Sequence, residues 1–336
     1  MRSTPAQATL FVLCAMTTLV GAVVATQAAA QPGPAATTQT PTAKTPTAKT
    51  STAHTAATAT GPETFESPEK AAAAMIDAAE KFDVQALIRI VGEQGEDVLL
   101  TDEYAADRES AQEFAAQARK KNHITQESGR AFLLVGDGDW PFPLPIVERQ
   151  GRWSFDAAAG RREVIQRRIG LNELDAIQIC HGYVEAQFDY AFRKRTGYEV
   201  AQYAQRIVAS PGKQDGLAWQ NADGTWGGPI GEKIAHAIER GYDLKGDPYH
   251  GYFFKVLKGQ GPDAPLGTLD YVVEGVMIGG FALVAAPAEY GESGLKTFMV
   301  SNTGVVYQKD LGPGTLEVFQ KMERFNPDKS WTPVPE

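Results

Sequence analysis

The chain has 336 residues, 22% of them charged, and a formal net charge of −9 at pH 7. Arg2, Lys44 and Lys49 are the only charges before residue 63, so residues 63–336 carry −12, which excludes the basic footprint of a nucleic-acid-binding protein. Of the cysteines, Cys14 falls in a leader-like segment; Cys180 alone closes no intrachain disulfide, and the fold must rest on an apolar core.

Arg2 is followed by an apolar run from Leu10 to Ala25, broken only by Thr17, Thr18 and Gly21, and then by Ala28-Ala29-Ala30. A basic residue, a short apolar core and a small-residue cleavage site in that order make a secretory signal peptide over residues 1–30. The core is shorter than the ~20 residues that cross a bilayer, so no transmembrane segment is expected after cleavage. Val12-Leu13 before Cys14 is not the small-residue context of a lipoprotein cysteine. Residues 31–62 are mostly Thr, Ala, Pro, Gln and Gly, with PTAKT at 41–45 and again at 46–50. So little apolar surface cannot offset the entropy of ordering, and spaced prolines extend the chain, so a disordered linker is expected. Its Thr/Pro content also suits a glycosylated stalk. The expected location is exported, periplasmic or extracellular.

An N-terminal α+β domain is expected over 63–159. Ser67 suits an N-cap, Pro68 the first helical position and Glu69 the positive helix end, with Ala72, Met75, Ile76, Ala79 and Phe82 on one face. Asp83 can cap a second helix that Gly92 closes, and a third is expected from about Arg108 to Lys121. AFLLVG at 131–136, PLPIVER at 143–149 and RWSF at 152–155 read as strands, the last two flanking a Gln150-Gly151 hairpin turn. Pro141, Pro143 and Pro145 place the middle segment at a sheet edge.

A C-terminal α+β domain is expected over 160–330. Gly160 to about Lys194 reads as one long helix or two abutting ones, with Leu174, Ile177, Cys180, Val184, Phe188 and Ala191 at apolar spacings of three and four. Further helices are expected over Glu199–Val208 and Glu232–Arg240, on either side of a polar loop bearing Trp219 and Trp226. YFFKVL, LDYVVEG, GGFALVAAP, LKTFMVS and GVVYQ then read as strands, and Thr315 suits the cap of a closing helix. The fold class is α+β: N-terminal helices with a small antiparallel sheet, then a long helix packed on a roughly four-stranded antiparallel sheet.

The histidines are His54, His123, His181, His236 and His250, and no pair has the spacing of a helical metal site. No metal and no cofactor are expected. Cys180 and His181 are adjacent on a helix and point about 100° apart, so Cys180 reads as a core thiol. Asp137-Gly138-Asp139 and Asn221-Ala222-Asp223-Gly224 look like pieces of calcium loops but lack the further ligands, and turn chemistry explains both. Asp156, Arg161, Arg162, Glu163, Arg167, Arg168 and Glu173 concentrate charge where the two domains meet in sequence. Such a segment is either an interdomain salt-bridge network or an anion site, in which arginine forks grip carboxylate or phosphate. The candidate ligand-binding residues are therefore Arg161, Arg162, Arg167 and Arg168, joined by Trp140 and Trp226 as cleft-lining aromatics; the alternative for the aromatics is core.

FESPEKAAAAMIDAAEKFD, GDWPFPLPIVERQGRWSFDAAAGRREVIQRRIGLNELDAIQIC, YHGYFFKVLKGQG and GGFALVAAPAEYGESGLKTFMVSNTGVVYQKDLG closely resemble the bacterial domain-of-unknown-function 2950 family over nearly all of 63–330. The resemblance implies an exported protein and brings no catalytic residues. NELDAIQICHGYVEAQFDYAF, then GYFFKV with Gly251, Tyr252 and Phe254, then GFALVAAPAEYGESGLKTFMVSNTGVVY, is similar to the globular head of type IV pilin-like proteins, an amphipathic helix on an antiparallel sheet. A charged segment and another domain precede that helix here, where a pilin has an apolar one. The expected function is non-catalytic binding or scaffolding at the cell envelope, with an envelope protein or polymer as partner and no nucleic acid. The alternative is an envelope-acting hydrolase with a carboxylate-based site that spacing does not single out.

Overall fold

A computed structural model describes residues 61–100, 104–192, 200–230 and 248–335. The signal peptide expected at 1–30, all but the last two residues of the linker, and the helix expected at Glu232–Arg240 lie outside the described residues. Among the described residues the chain forms two compact units, divided between Gly160 and Arg161. No described helix is long and apolar enough to cross a membrane.

In the N-terminal unit, helix α1 (Pro68–Lys81) is capped by Ser67, whose hydroxyl accepts from Lys70 N at 3.2 Å. It ends where Phe82 turns left-handed at φ 49°. Asp83 caps α2 (Val84–Val91), accepting from Ala86 N at 3.0 Å, and α3 (Glu96–Leu99) follows. Helix α4 (Tyr104–Lys120) starts a turn earlier than Arg108 and buries Ala111, Phe114, Ala115 and Ala118. Strands β1 (Asn122–Glu127), β2 (Arg130–Val135), β3 (Trp140–Pro141), β4 (Ile146–Arg149) and β5 (Arg152–Phe155) form an antiparallel sheet in the order β1-β2-β4-β5, with β3 beside β2. Gln150 and Gly151, at φ 55° and 76°, make the expected β4–β5 hairpin turn. β4 is not an edge strand. Pro143 and Pro145 precede it and Pro141 lies in β3, so the N–H groups that pair β4 with both neighbours begin at Ile146.

Helix α5 (Ala157–Phe192) is one unbroken element, started by Asp156, whose carboxylate accepts from Ala159 N at 3.0 Å. Beyond Asp175 its stripe of Ala176, Cys180, Tyr183, Val184 and Tyr190 is buried in the C-terminal core. Of the segment expected to be helical at 199–208, the described residues 200–208 are not helical: 200–205 is irregular and β6 (Arg206–Val208) pairs parallel with β7 (Gly216–Gln220), which in turn pairs with β8 (Trp226–Gly227). The reason is Gln187, fully buried on α5. Its amide donates to Ala204 O and accepts from Ala204 N, both at 2.8 Å, and so holds that residue as a strand neighbour would.

β9 (Tyr252–Leu257) opens the main sheet, and β10 (Gly259–Gln260) leads away from it. LDYVVEG is not one strand: β11 (Leu269–Asp270) pairs with β10, and β12 (Val272–Val273) pairs with β13 (Val276–Met277). Tyr271 between them is fully buried, its N–H donating to Lys258 O at 2.9 Å and its hydroxyl to Gln260 Oε1 at 3.0 Å, so the run breaks there. β14 (Ala282–Pro287), β15 (Lys296–Ser301) and β16 (Val306–Asp310) complete the sheet with β9 and the two-residue β17 (Thr332–Pro333), in the antiparallel order β17-β16-β15-β14-β9. β14 is buried at every residue. Helix α6 (Thr315–Lys321) takes Gly314, not Thr315, as its cap; the Thr315 hydroxyl donates instead to Gly312 O at 2.6 Å. Residues 324–333 then form a strap: Arg324 donates to Gln260 O at 3.1 Å, Phe325 exchanges 2.9 Å hydrogen bonds with Gly259 and Gly261, and Trp331 lies under Lys309.

Gln187→Leu keeps the volume but orphans both backbone groups of Ala204. At about 1–3 kcal/mol for each buried group left unpaired, the variant is expected to lose about 2–6 kcal/mol in urea unfolding. A change within 0.5 kcal/mol would mean the bridge contributes nothing (about the scatter of a neutral surface substitution).

Candidate functional site

The C-terminal unit places its site by fastening the middle of α5 to the segment before β15. Arg168 Nε donates to Glu292 O at 3.1 Å, and Asn172 Nδ2 to Ser293 O at 2.8 Å. One carboxylate oxygen of Glu173 accepts from Leu295 N and Lys296 N at 2.9 and 3.0 Å. The Tyr252 hydroxyl donates to Lys296 O at 2.9 Å from the other side. Burial and the neighbouring Glu173 carboxylate both push the Tyr252 pKa well above its ordinary value. A Cβ at Gly294 would collide with that hydroxyl, and one at Gly251 would press on Asn172, so both positions need glycine.

Tyr249 and Tyr252 exchange N–H···O=C bonds of 2.9 and 3.0 Å across a tight turn at His250 and Gly251, whose φ angles are 48° and 72°. A left-handed histidine is uncommon. This one directs its ring to α5, where His250 Nδ1 pairs with the Asp175 carboxylate. The Tyr249 ring lies edge-on to the imidazole at 4.3 Å.

A cavity of about 620 Å³ opens between α5 and this turn. Asp175, Gln178, Ile179, Gly182, Tyr183, Glu185, Ala186 and Asp189 line it from the helix, and Pro229, Ile230, Tyr249 and His250 from across it. The wall behind is rigid. Gln187 Nε2 also donates to the Tyr183 hydroxyl at 2.9 Å, and the Tyr183 ring packs edge-on against Phe281 at 5.7 Å. Gly182 is helical and nothing lies within 4 Å of where its Cβ would be, so the backbone demands no glycine there. Its effect is to deepen the cavity floor.

The sequence-derived candidates lie elsewhere. Among the described lining residues, none of Arg161, Arg162, Arg167, Arg168, Trp140 and Trp226 is present. Arg162 is exposed and Arg161 half-buried; Arg167 pairs with Glu163 one turn earlier at 2.8 Å, and Arg168 joins the Glu292 carbonyl of its own unit. Trp140 is in β3 of the N-terminal unit, while Trp226 in β8 packs against the C-terminal core. Glu173 and Asp156, from the same charged segment, serve as a backbone acceptor and a helix cap. Asp137 and Asp139 pair with Lys120 and Lys121, and Asp223 accepts from Thr225 N and Oγ1 at 3.0 and 2.6 Å, so the calcium-like fragments are spent on local bonds. Among the described residues, no three His, Cys, Asp or Glu side chains cluster to hold a metal.

Asp175, Gln178, Glu185 and Asp189 were missed as a group. Their spacings of three, seven and four keep them on one side of a helix, which is a visible signal, but a polar stripe opposite an apolar one reads as a solvated face. His250 had no signal beyond its glycine neighbour, because the Asp175 partner is 75 residues away.

The fold and site together define a helix-on-sheet α+β protein with a lateral polar cavity. The chain belongs to the family described as protein of unknown function (DUF2950), which it matches over residues 62–334. It matches no curated protein and no solved structure.

Two outcomes are expected of α5. Burial pushes the Cys180 pKa up to about 12, and the thiolate is the nucleophile, so the native thiol should resist iodoacetamide at pH 8 and react fully in denaturant. Fast alkylation of the folded protein would show the core open at that point. Gly182→Ala should raise stability by about 0.4–1 kcal/mol in urea unfolding, since a helix gains from losing glycine where no clash opposes it. Destabilisation would mean that the floor is packed, not open.

Proposed function

We propose that this is an exported binding protein of the cell envelope whose C-terminal unit, built like a pilin-type head, holds a small ligand in the cavity beside α5. The observation that carries the reading is the cavity itself: about 620 Å³, rigidly backed and lined by convergent polar groups, within the range of small-molecule sites. The leader-like order of Arg2, the apolar run and Ala28-Ala29-Ala30 supports export, with residues 31–62 as a tether once 1–30 is removed. The helix laid on an antiparallel sheet that opens at Gly251-Tyr252 supports the pilin-head likeness. In this reading the arginine segment is structural, Arg168 helping to fasten the helix and Arg167 pairing along it.

A hydrolase is the second reading, and the Asp175–His250 pair favours it. Asp175 takes Nδ1 and leaves Nε2 as a base directed away from its orienting carboxylate.

Protein purified from the envelope fraction should begin near Gln31 by N-terminal sequencing. In native mass spectrometry it should carry a small bound mass that Gly182→Leu, which fills the floor, removes. Retention of Met1 in the cytoplasm sinks the export reading, and an identical spectrum for Gly182→Leu sinks the cavity. Under the hydrolase reading, His250→Gln preserves the bound mass and abolishes its conversion.

A further inference from the structure

The N-terminal unit leaves one sheet edge open. Among the described residues β1 ends the strand order with β2 as its one neighbour, and five of its six residues are exposed. Ser128 and Gly129, at φ 52° and 76°, close a two-residue hairpin, and the ladder runs from Glu127–Arg130 to Asn122–Val135 without a bulge. Lys121 O accepts from Gly136 N at 2.9 Å, which fixes the phase of that ladder: His123, Thr125 and Glu127 turn their backbone groups to β2. The N–H and C=O groups of Asn122, Ile124 and Gln126 therefore point to the open side. Edges of this kind are ordinarily blunted by a proline, a bulge or a charge within the strand. From Asn122 to Gln126 there is no proline, no bulge and no Asp, Glu, Lys or Arg.

The strand that fits this edge is the edge itself. We propose that two copies of the chain pair through β1, antiparallel about a two-fold axis at Ile124, so that the sheets of two N-terminal units join into one. In that register Asn122 faces Gln126 of the other copy and Ile124 faces Ile124, and each such pair exchanges both of its outward N–H···O=C bonds. On the face shared with the fully buried Leu133, the row across the axis reads Leu133, Ile124, Ile124, Leu133, an apolar line continuous with the core of each unit. On the other face Lys121 of each copy stands opposite Glu127 of the other, with Arg130 beyond it, so that opposite charges alternate along the row. Lys121 already pairs with Asp139 at 2.8 Å, but that pair is exposed, and an ammonium has donors for a second carboxylate. Moving the axis to His123 or Thr125 puts Ile124 against Asn122 or Gln126 and takes Lys121 away from Glu127. The register centred on Ile124 is thus the one in which both faces match themselves.

The test is sedimentation velocity on the full chain at micromolar to millimolar concentrations, because so short an interface gives a weak dimer. The wild type should pass from monomer to dimer as concentration rises. Gln126→Pro removes an outward N–H that β2 does not use, so it should abolish the dimer while the thermal unfolding curve of the monomer is kept. Glu127→Lys and Lys121→Glu each set like charges opposite each other twice and should weaken association about tenfold. Glu127→Lys should do so even though it lowers the chain's net negative charge, which separates a local clash from general repulsion. An equimolar mixture of the two charge variants, in which every facing pair is again opposite in sign, should form a heterodimer as tight as the wild-type dimer. A monomer at every concentration overturns the proposal, and so does a dimer that Gln126→Pro leaves intact. A dimer lost in Gln126→Pro but indifferent to both charge variants overturns the register centred on Ile124. Should Gln126→Pro fail to fold, the mixture decides alone: no heterodimer, no pairing through β1.

Discussion

The two backbone N–H groups of Leu295 and Lys296 converge on a single carboxylate, Glu173, and the C-terminal unit is organised around that junction. It satisfies two backbone donors at the entry to β15, and it fixes both the height and the rotation of α5. With the rotation fixed, Cys180, Tyr183 and Val184 enter the core, and Asp175, Glu185 and Asp189 turn to the cavity. Asn172 and Arg168 lengthen the attachment by one turn of helix. A helix held only by apolar contacts could slide or roll with little penalty, whereas hydrogen bonds to named carbonyls and amides admit one register.

Close approach is the second constraint. Tyr252 reaches Lys296 O only because Gly294 has no side chain, and the His250-Gly251 turn lies against Asn172 only because Gly251 has none. These contacts tie the start of β9, the loop before β15 and the middle of α5 into one body. The cavity is the space left on the far side of that body, and its polar groups are displayed on a rigid wall, which limits the ordering cost a ligand must offset.

The sequence made the local features legible. Ser67 and Asp83 as caps, Gln150-Gly151 as a hairpin turn, the length of α5 and its buried stripe all follow from residues within a few positions of one another. Features settled by distant partners were not legible. Residues 200–205 have helical composition but are claimed by the buried amide of Gln187, and LDYVVEG breaks because Tyr271 is drawn into the core. β1 escaped notice because NHITQE has only Ile124 partly buried and shows no alternation. The cavity lining was not legible for the same reason. Arginines draw attention in an acidic chain, yet Arg167 and Arg168 are engaged along or beside their own helix, and the cavity is built from acids that looked like a solvated face.

The distance in sequence between Glu173 and its donor partners has a consequence for synthesis. Leu295 lies 122 positions after Glu173, and the strap residue Arg324 lies 64 after Gln260. A chain made from its N-terminus produces α5 long before the strands that cover its apolar stripe. Until residues beyond 295 have emerged, Cys180, Tyr183, Val184 and Tyr190 have no sheet to enter, and the strap closes only after that. The C-terminal unit therefore cannot complete its core while translation is in progress through β9 or β14. Until then it stays open, with its apolar stripe exposed to aggregation.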